Sequence, residues 1–337
     1  MNKILIIGPA WVGDMIMAQS LLKLIKERQP ETILHVAATS WAFPVLSRMP
    51  EIDGLTELPL AHGQLGLGIR YRIAKELRKQ NFDQAIVLPN SFKSALIPWL
   101  AGIPKRTGWL GECRFGVLND VRYLDEKRYP LMVERLLALG LAPKESLPAF
   151  YSYPQLSSTP ETQALALQKL DITRPTTPVL ALCAGAEFGP SKRWPAEYYA
   201  EVARQKLAAN WQVWLFGSPK DRVITDRIME LTDNRCVHIA GRTQLDQTID
   251  LIAMTSAVIT NDSGLMHIAA ALKKPIIAIY GSSSPGYTPP LARDVSILKL
   301  NLPCQPCFER ECPLEHHQCL RDITPDLVLN ALAELPV

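Results

Sequence analysis

The chain contains no run of about 18 uninterrupted apolar residues, the length a membrane-crossing helix requires, so any membrane contact expected of it is peripheral. Its opening apolar run, Ile4 to Ile7, breaks at Gly8-Pro9, short of the core of a signal peptide, and reads as a buried first strand. Strong charge is lacking too. The 36 Lys/Arg against 33 Asp/Glu give a net charge of +3, too little for a nucleic-acid binder, and no nucleic-acid partner is expected. Neither half offers the G-x-G-x-x-G spacing of a dinucleotide fingerprint, which weakens an NAD-dependent oxidoreductase reading. Paired C-x2-C knuckles, the strong sign of a zinc module, are also missing.

What is present fits a soluble protein of two medium domains: 337 residues, 47% hydrophobic and 20% charged. Residues 1 to 155 hold 19 Lys/Arg against 14 Asp/Glu. That excess suits an acidic partner in the first half, and it equally suits an ordinary solvated surface. Apolar strands at Lys3 to Ile7, Ile33 to Ala37 and Gln84 to Leu88 alternate with helical patterns around Trp41 to Met49, Ile69 to Gln80 and Ser94 to Ala101. After a Pro- and Ser-containing stretch from Pro143 to Pro178 the alternation restarts, with strands at Val179, Gln212, Val237, Ala257 and Pro275. A last helix is expected after Thr324 as N-cap with Pro325 at its first position. The fold class is therefore α/β, two doubly wound Rossmann-like domains, 1–160 and 161–337, with ligands expected in a cleft at the carboxyl ends of the strands.

Strand-end loops carry the candidate chemistry. In Gly8-Pro9-Ala10-Trp11-Val12-Gly13-Asp14, Asp14 stands at the start of a helix, where a carboxylate either caps free N–H groups or serves as a base. Gly185 to Pro195 (GAEFGPSKRWP) sets small residues, Ser191, Lys192 and Arg193 just ahead of a helix, an arrangement suited to a diphosphate. Thr260 to His267 (TNDSGLMH) offers Asp262, Ser263 and Gly264 for a sugar or phosphate, with Asp262 equally readable as a cap and His267 as a core histidine. Asp221, after Gly217-Ser218-Pro219-Lys220, has the position of a ribose ligand, and Gly281 to Pro285 adds hydroxyl donors.

Five strings, GPAWVGDM (8–15), LPNSFKSAL (88–96), GIPKRTGW (102–109), GAEFGPSKRWP (185–195) and TNDSGLMH (260–267), resemble in content and order the motifs of the lipopolysaccharide heptosyltransferases of the type II group, GT-B glycosyltransferases. The resemblance spans nearly the whole chain. It implies an ADP-heptose donor, a heptosyl-Kdo2-lipid A acceptor, inversion at the anomeric centre and no catalytic metal. It also implies Asp14 as general base and Lys192 with the Ser263-Gly264 loop on the donor diphosphate. Asp262 would then hold the heptose or the ribose-phosphate region. The first domain becomes the acceptor domain, with Lys93, Lys105, Arg106 and Arg114 suited to lipid phosphates and Kdo carboxylates, and the second the donor domain, with Gly185, Ser191, Asp221 and His267 around the nucleotide sugar. The setting expected is the cytoplasmic face of the inner membrane. A non-catalytic sugar-nucleotide binder, or a related transferase with another donor, is the competing reading.

Cys304, Cys307, Cys312 and Cys319 form a cluster with His316 and His317 between the last two, and this segment also resembles one found in many members of the family. Its spacing leaves a structural zinc, reversible disulfides and free packed thiols all open.

Overall fold

The computed structural model describes residues 2–60 and 63–336. The chain divides into two compact units, one ending at Pro154 and the other starting at Gln155. This break precedes 160/161 because the intervening residues are already bonded into the second unit. Leu156 N–H donates to Ala271 O (3.0 Å), and Ser158 Oγ donates to Asp250 Oδ1 (2.7 Å).

The first unit holds the parallel strands β1 (Lys3–Ile7), β2 (Ile33–Ala38), β3 (Gly54–Glu57), β4 (Gln84–Val87), β5 (Lys105–Trp109) and β6 (Asp120–Arg122), in the spatial order β3-β2-β1-β4-β5-β6. The second holds β7 (Val179–Cys183), β8 (Gln212–Phe216), β9 (Val237–His238), β10 (Ala257–Asn261), β11 (Ile276–Ile279) and β12 (Val295–Leu298), ordered β12-β11-β10-β7-β8-β9. Each is the Rossmann order, in which the direction of chain progress reverses beside the first strand. The two switch points are therefore β1/β4 and β7/β10.

Central strands of such sheets are covered on both faces, so they read as unbroken apolar runs. β7, Val-Leu-Ala-Leu-Cys, is buried throughout. Around it pack Leu215, Ile259, Ile277, Trp194 and Tyr199, each such side chain contributing roughly 1.5–3 kcal/mol on burial. The closing helix Pro325–Ala333 is capped by Thr324, whose side chain accepts from Leu327 N–H, and its Val328, Ala331 and Leu332 complete this core. In the first unit, Leu5 and Ile7 of β1 pack with Ala37, Ala85, Val87, Leu77 and Ile97. The helix expected over Trp41 to Met49 is shorter, a 3-10 turn Ser40–Ala42 and one α-turn Phe43–Leu46, with Pro44 in the first turn of the latter, where its missing N–H breaks the ladder back to Ser40.

Candidate functional site

At the β7/β10 switch point two loops meet, residues 184–195 after β7 and the short turn after β10. Asn261, the last residue of β10, is fully buried and ties them together. Its Oδ1 accepts from Trp194 N–H (3.0 Å) and Tyr199 OH (3.1 Å), and its Nδ2 donates to Ala184 O (2.8 Å). Trp194 is anchored in turn, its indole N–H donating to Ile323 O (2.8 Å) and its ring meeting Tyr199 edge to face at 4.8 Å. Between these fixed points Lys192 reaches over to Asp262, Nζ to Oδ2 2.6 Å, with the two side chains only 16% and 5% exposed. Lys192 Nζ also lies 4.9 Å from the centre of the Phe188 ring. His267 is buried beneath the pair. Burial lowers its pKa to about 4, Lys192 pushes the same way and Asp262 opposes, so the imidazole is neutral at pH 7. A desolvated ammonium at the carboxyl end of a switch point is a ready partner for a phosphate oxygen.

The remaining residues expected around a donor are tied into the strand-end loops. Ser191 is buried, and its hydroxyl donates to Glu309 O and pairs with Ser282 Oγ (2.9 Å), so it holds the loop from inside. Asp221 accepts from Ser218 N–H (2.8 Å) and Ser218 Oγ (2.7 Å), which makes it a turn-former. Gly185 lies against that carboxylate so closely that a Cβ would stand 2.2 Å from Asp221 Cγ. Ser263 is the N-cap of the helix Gly264–Ala271 and makes no side-chain cap bond, while its Oγ stands 3.4 Å from Thr260 Oγ1.

In the first unit Asp14 is half-buried in the first turn of the helix Val12–Arg28, directly after β1. Trp11 occupies the N-cap position and forms no side-chain cap bond. Lys93 lies in the first turn of Phe92–Leu100, the helix that follows β4, so Asp14 and Lys93 flank one switch point. The other cations expected on the acceptor side stand elsewhere in this unit. Lys105 and Arg106 open β5, and Lys105 is level with Gln84, the first residue of β4, which puts both at the amino-terminal edge of the sheet. The Arg106 guanidinium donates to Val117 O (2.7 Å) and Ile103 O (2.6 Å). Arg114 is wholly buried, its guanidinium donating to Pro89 O (2.7 Å) and to Trp109 O, and burial lowers its pKa to about 10. It ties Pro89, just after β4, to Trp109, the last residue of β5. Glu112 assists by accepting from Phe92 N–H (2.8 Å).

Cys304, Cys307, Cys312 and Cys319 are free thiols lining one pocket with His316 and His317, walled on another side by Ser191 and Ser282. The Cys319 thiol is pushed up to about 11 by burial and by the neighbouring Cys312, Cys307 and Cys304. Among the described residues, no three His, Cys, Asp or Glu side chains already stand as a set that could hold a metal ion.

Sequence reasoning missed two contributors. Asn261 sits in the TNDSGLMH string, and an amide ending an apolar strand signals a buried hydrogen-bonding hub. Phe188 gave no signal of its own, because the contact of its ring with Lys192 Nζ exists only in three dimensions.

Two parallel units in Rossmann order, with a shielded cation at the second unit's switch point, define a GT-B nucleotide-sugar transferase frame. The family model for glycosyltransferase family 9 (heptosyltransferase) matches residues 70–318, and the chain belongs to this family. It is 45% identical over 342 residues to lipopolysaccharide heptosyltransferase 2 of Escherichia coli strain K12, covering 99% of this chain and 98% of that protein. To lipooligosaccharide heptosyltransferase 2 of Haemophilus ducreyi strain 35000HP it is 45% identical over 347 residues, covering 99% of each. The solved structure of E. coli ADP-heptose lps heptosyltransferase II matches with a TM-score of 0.87 at 44% identity, over 98% of this chain and 97% of that one.

Proposed function

We propose that the chain transfers L-glycero-D-manno-heptose from ADP-heptose to the first heptose of heptosyl-Kdo2-lipid A, inverting the anomeric centre. The observation that carries this reading is the Lys192–Asp262 pair at the β7/β10 switch point, in a chain whose near-full-length relatives are named heptosyltransferase 2. The second unit is the donor unit. Lys192 neutralises the departing ADP, the small Ser263-Gly264 turn lets a phosphate approach the helix N-terminus, and Asp262 orients Lys192 until the donor arrives. Asp14, from the first unit, takes the proton of the acceptor hydroxyl as the new glycosidic bond forms. Lys93 offers a cation to the acidic acceptor. With a carboxylate base and an ammonium for the leaving group, no step calls for a metal ion.

The acceptor is a lipid, so the enzyme works peripherally at the cytoplasmic face of the inner membrane. Among the described residues, no helix is long and apolar enough to cross a membrane. The thiol pocket is the place for a structural zinc. Elemental analysis of reduced, chelator-free protein will give close to one zinc per chain on that reading, and its absence there rejects the zinc.

The test of the function is nucleoside diphosphate release with a panel of ADP-heptose, UDP-glucose and GDP-mannose on heptosyl-Kdo2-lipid A. Turnover confined to ADP-heptose and dependent on the acceptor is expected. Turnover of another donor, or none, would overturn the reading.

A further inference from the structure

The Cys-rich segment is bonded to the Lys192 loop at Glu309 and Arg310 and to the stretch after β11 at Gln305 and Phe308. Phe308 N–H donates to Ser282 O (2.8 Å), Ser282 N–H to Ser191 O (3.2 Å) and Ser191 N–H to Arg310 O (3.2 Å). Gln305 Nε2 donates to Gly281 O (2.8 Å) and Tyr280 O (3.1 Å). The approach is close enough that only glycine fits at two positions. A Cβ on Gly189 would stand 2.4 Å from Arg310 O, and one on Gly281 would stand 2.5 Å from Ser191 O. Three stretches far apart in sequence thus form one backbone bundle, and the Arg310 backbone is fixed against Ser191, next in sequence to Lys192.

That place has a charge problem to solve. Lys192 is engaged by Asp262, so the pair together offers almost no net charge to a diphosphate, which carries at least two negative charges at neutral pH. Arg310 is exposed, and its guanidinium carbon lies 5.4 Å from the centre of the same Phe188 ring that Lys192 faces from 4.9 Å. The two cations are therefore no farther apart than those distances combined. An arginine presents several N–H donors in a planar fork, suited to two phosphate oxygens at once.

We propose that Arg310 is a second donor-binding cation, carried to the diphosphate of the nucleotide sugar by the Cys-rich segment, with Phe188 as the platform that holds it beside Lys192. This rests on the donor-site reading above. Its contact is with the bound diphosphate in ground state and transition state alike, so its loss acts on donor affinity more than on turnover.

The experiment is calorimetric binding of ADP and AMP to wild type, Arg310→Gln, Arg310→Lys and Lys192→Met, with donor and acceptor KM, kcat and thermal midpoint for each. Arg310→Gln is expected to weaken ADP about 10-fold or more, the worth of one charge-assisted contact, and to raise donor KM alike. AMP affinity, acceptor KM and thermal midpoint will change little. Arg310→Lys will recover part of the ADP affinity, which a merely structural role does not predict. ADP affinity of Arg310→Gln within twofold of wild type, while Lys192→Met loses it, would overturn the proposal and leave the donor site standing. Unchanged ADP affinity in both variants would remove the donor site itself, and the proposal with it.

Discussion

Replacing Asn261 tests the donor unit most directly, because its effect can be worked from bonds already counted. Asn261→Ala strips its partner from Trp194 N–H and Ala184 O and leaves Tyr199 OH only its longer bond to Cys183 O (3.4 Å), all in the buried core. A buried polar group left unsatisfied costs about 1–3 kcal/mol. With partial relaxation the three together amount to roughly 3–5 kcal/mol, or a fall in melting temperature of about 10 °C for a unit of this size. Asn261→Asp sharpens the test. Its retained oxygen still accepts from Trp194 and Tyr199, while the other faces the Ala184 carbonyl and suits it only when protonated. Burial raises the pKa of that carboxyl in the folded state. Stability is then present at low pH and lost as pH rises through the folded pKa. Thermal unfolding followed by circular dichroism at pH 5 and pH 8, beside ADP calorimetry, reads both effects. Asn261→Asp will approach wild type at pH 5 and fall well below it at pH 8. An Asn261→Ala protein within about 1 kcal/mol of wild type, or a pH-independent Asn261→Asp deficit, would refute the hub assignment.

Other outcomes follow from single residues. Asp14→Asn will keep ADP affinity and melting temperature while kcat falls by roughly 10²–10⁴, the worth of a positioned base; near-wild-type kcat at saturating substrates would show that another group takes the proton. Lys93→Ala will raise acceptor KM, whereas Lys105→Ala, at the far edge of the sheet, will leave it within about twofold; the reverse result would mean that the acceptor does not use the strand carboxyl ends. His267 is neutral in the folded state with a pKa lowered to about 4 from 6.5. The unfolded chain therefore binds the extra proton first, and stability, full above about pH 6.5, falls as pH drops toward 4, on the order of 3 kcal/mol in all. His267→Gln will lose that share of the pH dependence in urea midpoints, and an unaltered profile would contradict the assignment.

Much of this architecture could be read along the chain. Val179 to Cys183, Gln212 to Phe216 and Ala257 to Asn261 are buried on both faces, so their apolar runs announce them. β3, β5, β6 and β12 escaped the reading because polar residues such as Glu57, Lys105, Asp120 and Ser296 break their short apolar runs. Lys105 and Arg106 are a related case. Charge is visible in sequence, but which end of a strand carries it becomes plain only once β5 is seen to begin at Lys105. Motif strings located Lys192 and Asp262, yet not that they bond to each other, nor that Ser191 turns inward, since both facts depend on a packing partner more than 60 positions away.

The backbone bundle around Ser191 also sets an order on how the protein comes into being. Residues near 190 find their partners near 282 and 310, and Trp194 finds its own at Ile323. Contacts of such long sequence separation close late in folding. A chain emerging from the ribosome has finished β7 long before those partners exist, so its Lys192 loop is held first through Asn261 and Asp262 and gains its bonds to the stretches near 282, 310 and 323 only later. The backbone frame around Lys192 is therefore assembled in two stages, its near half on residues 261–262 and its far half on residues 282–323.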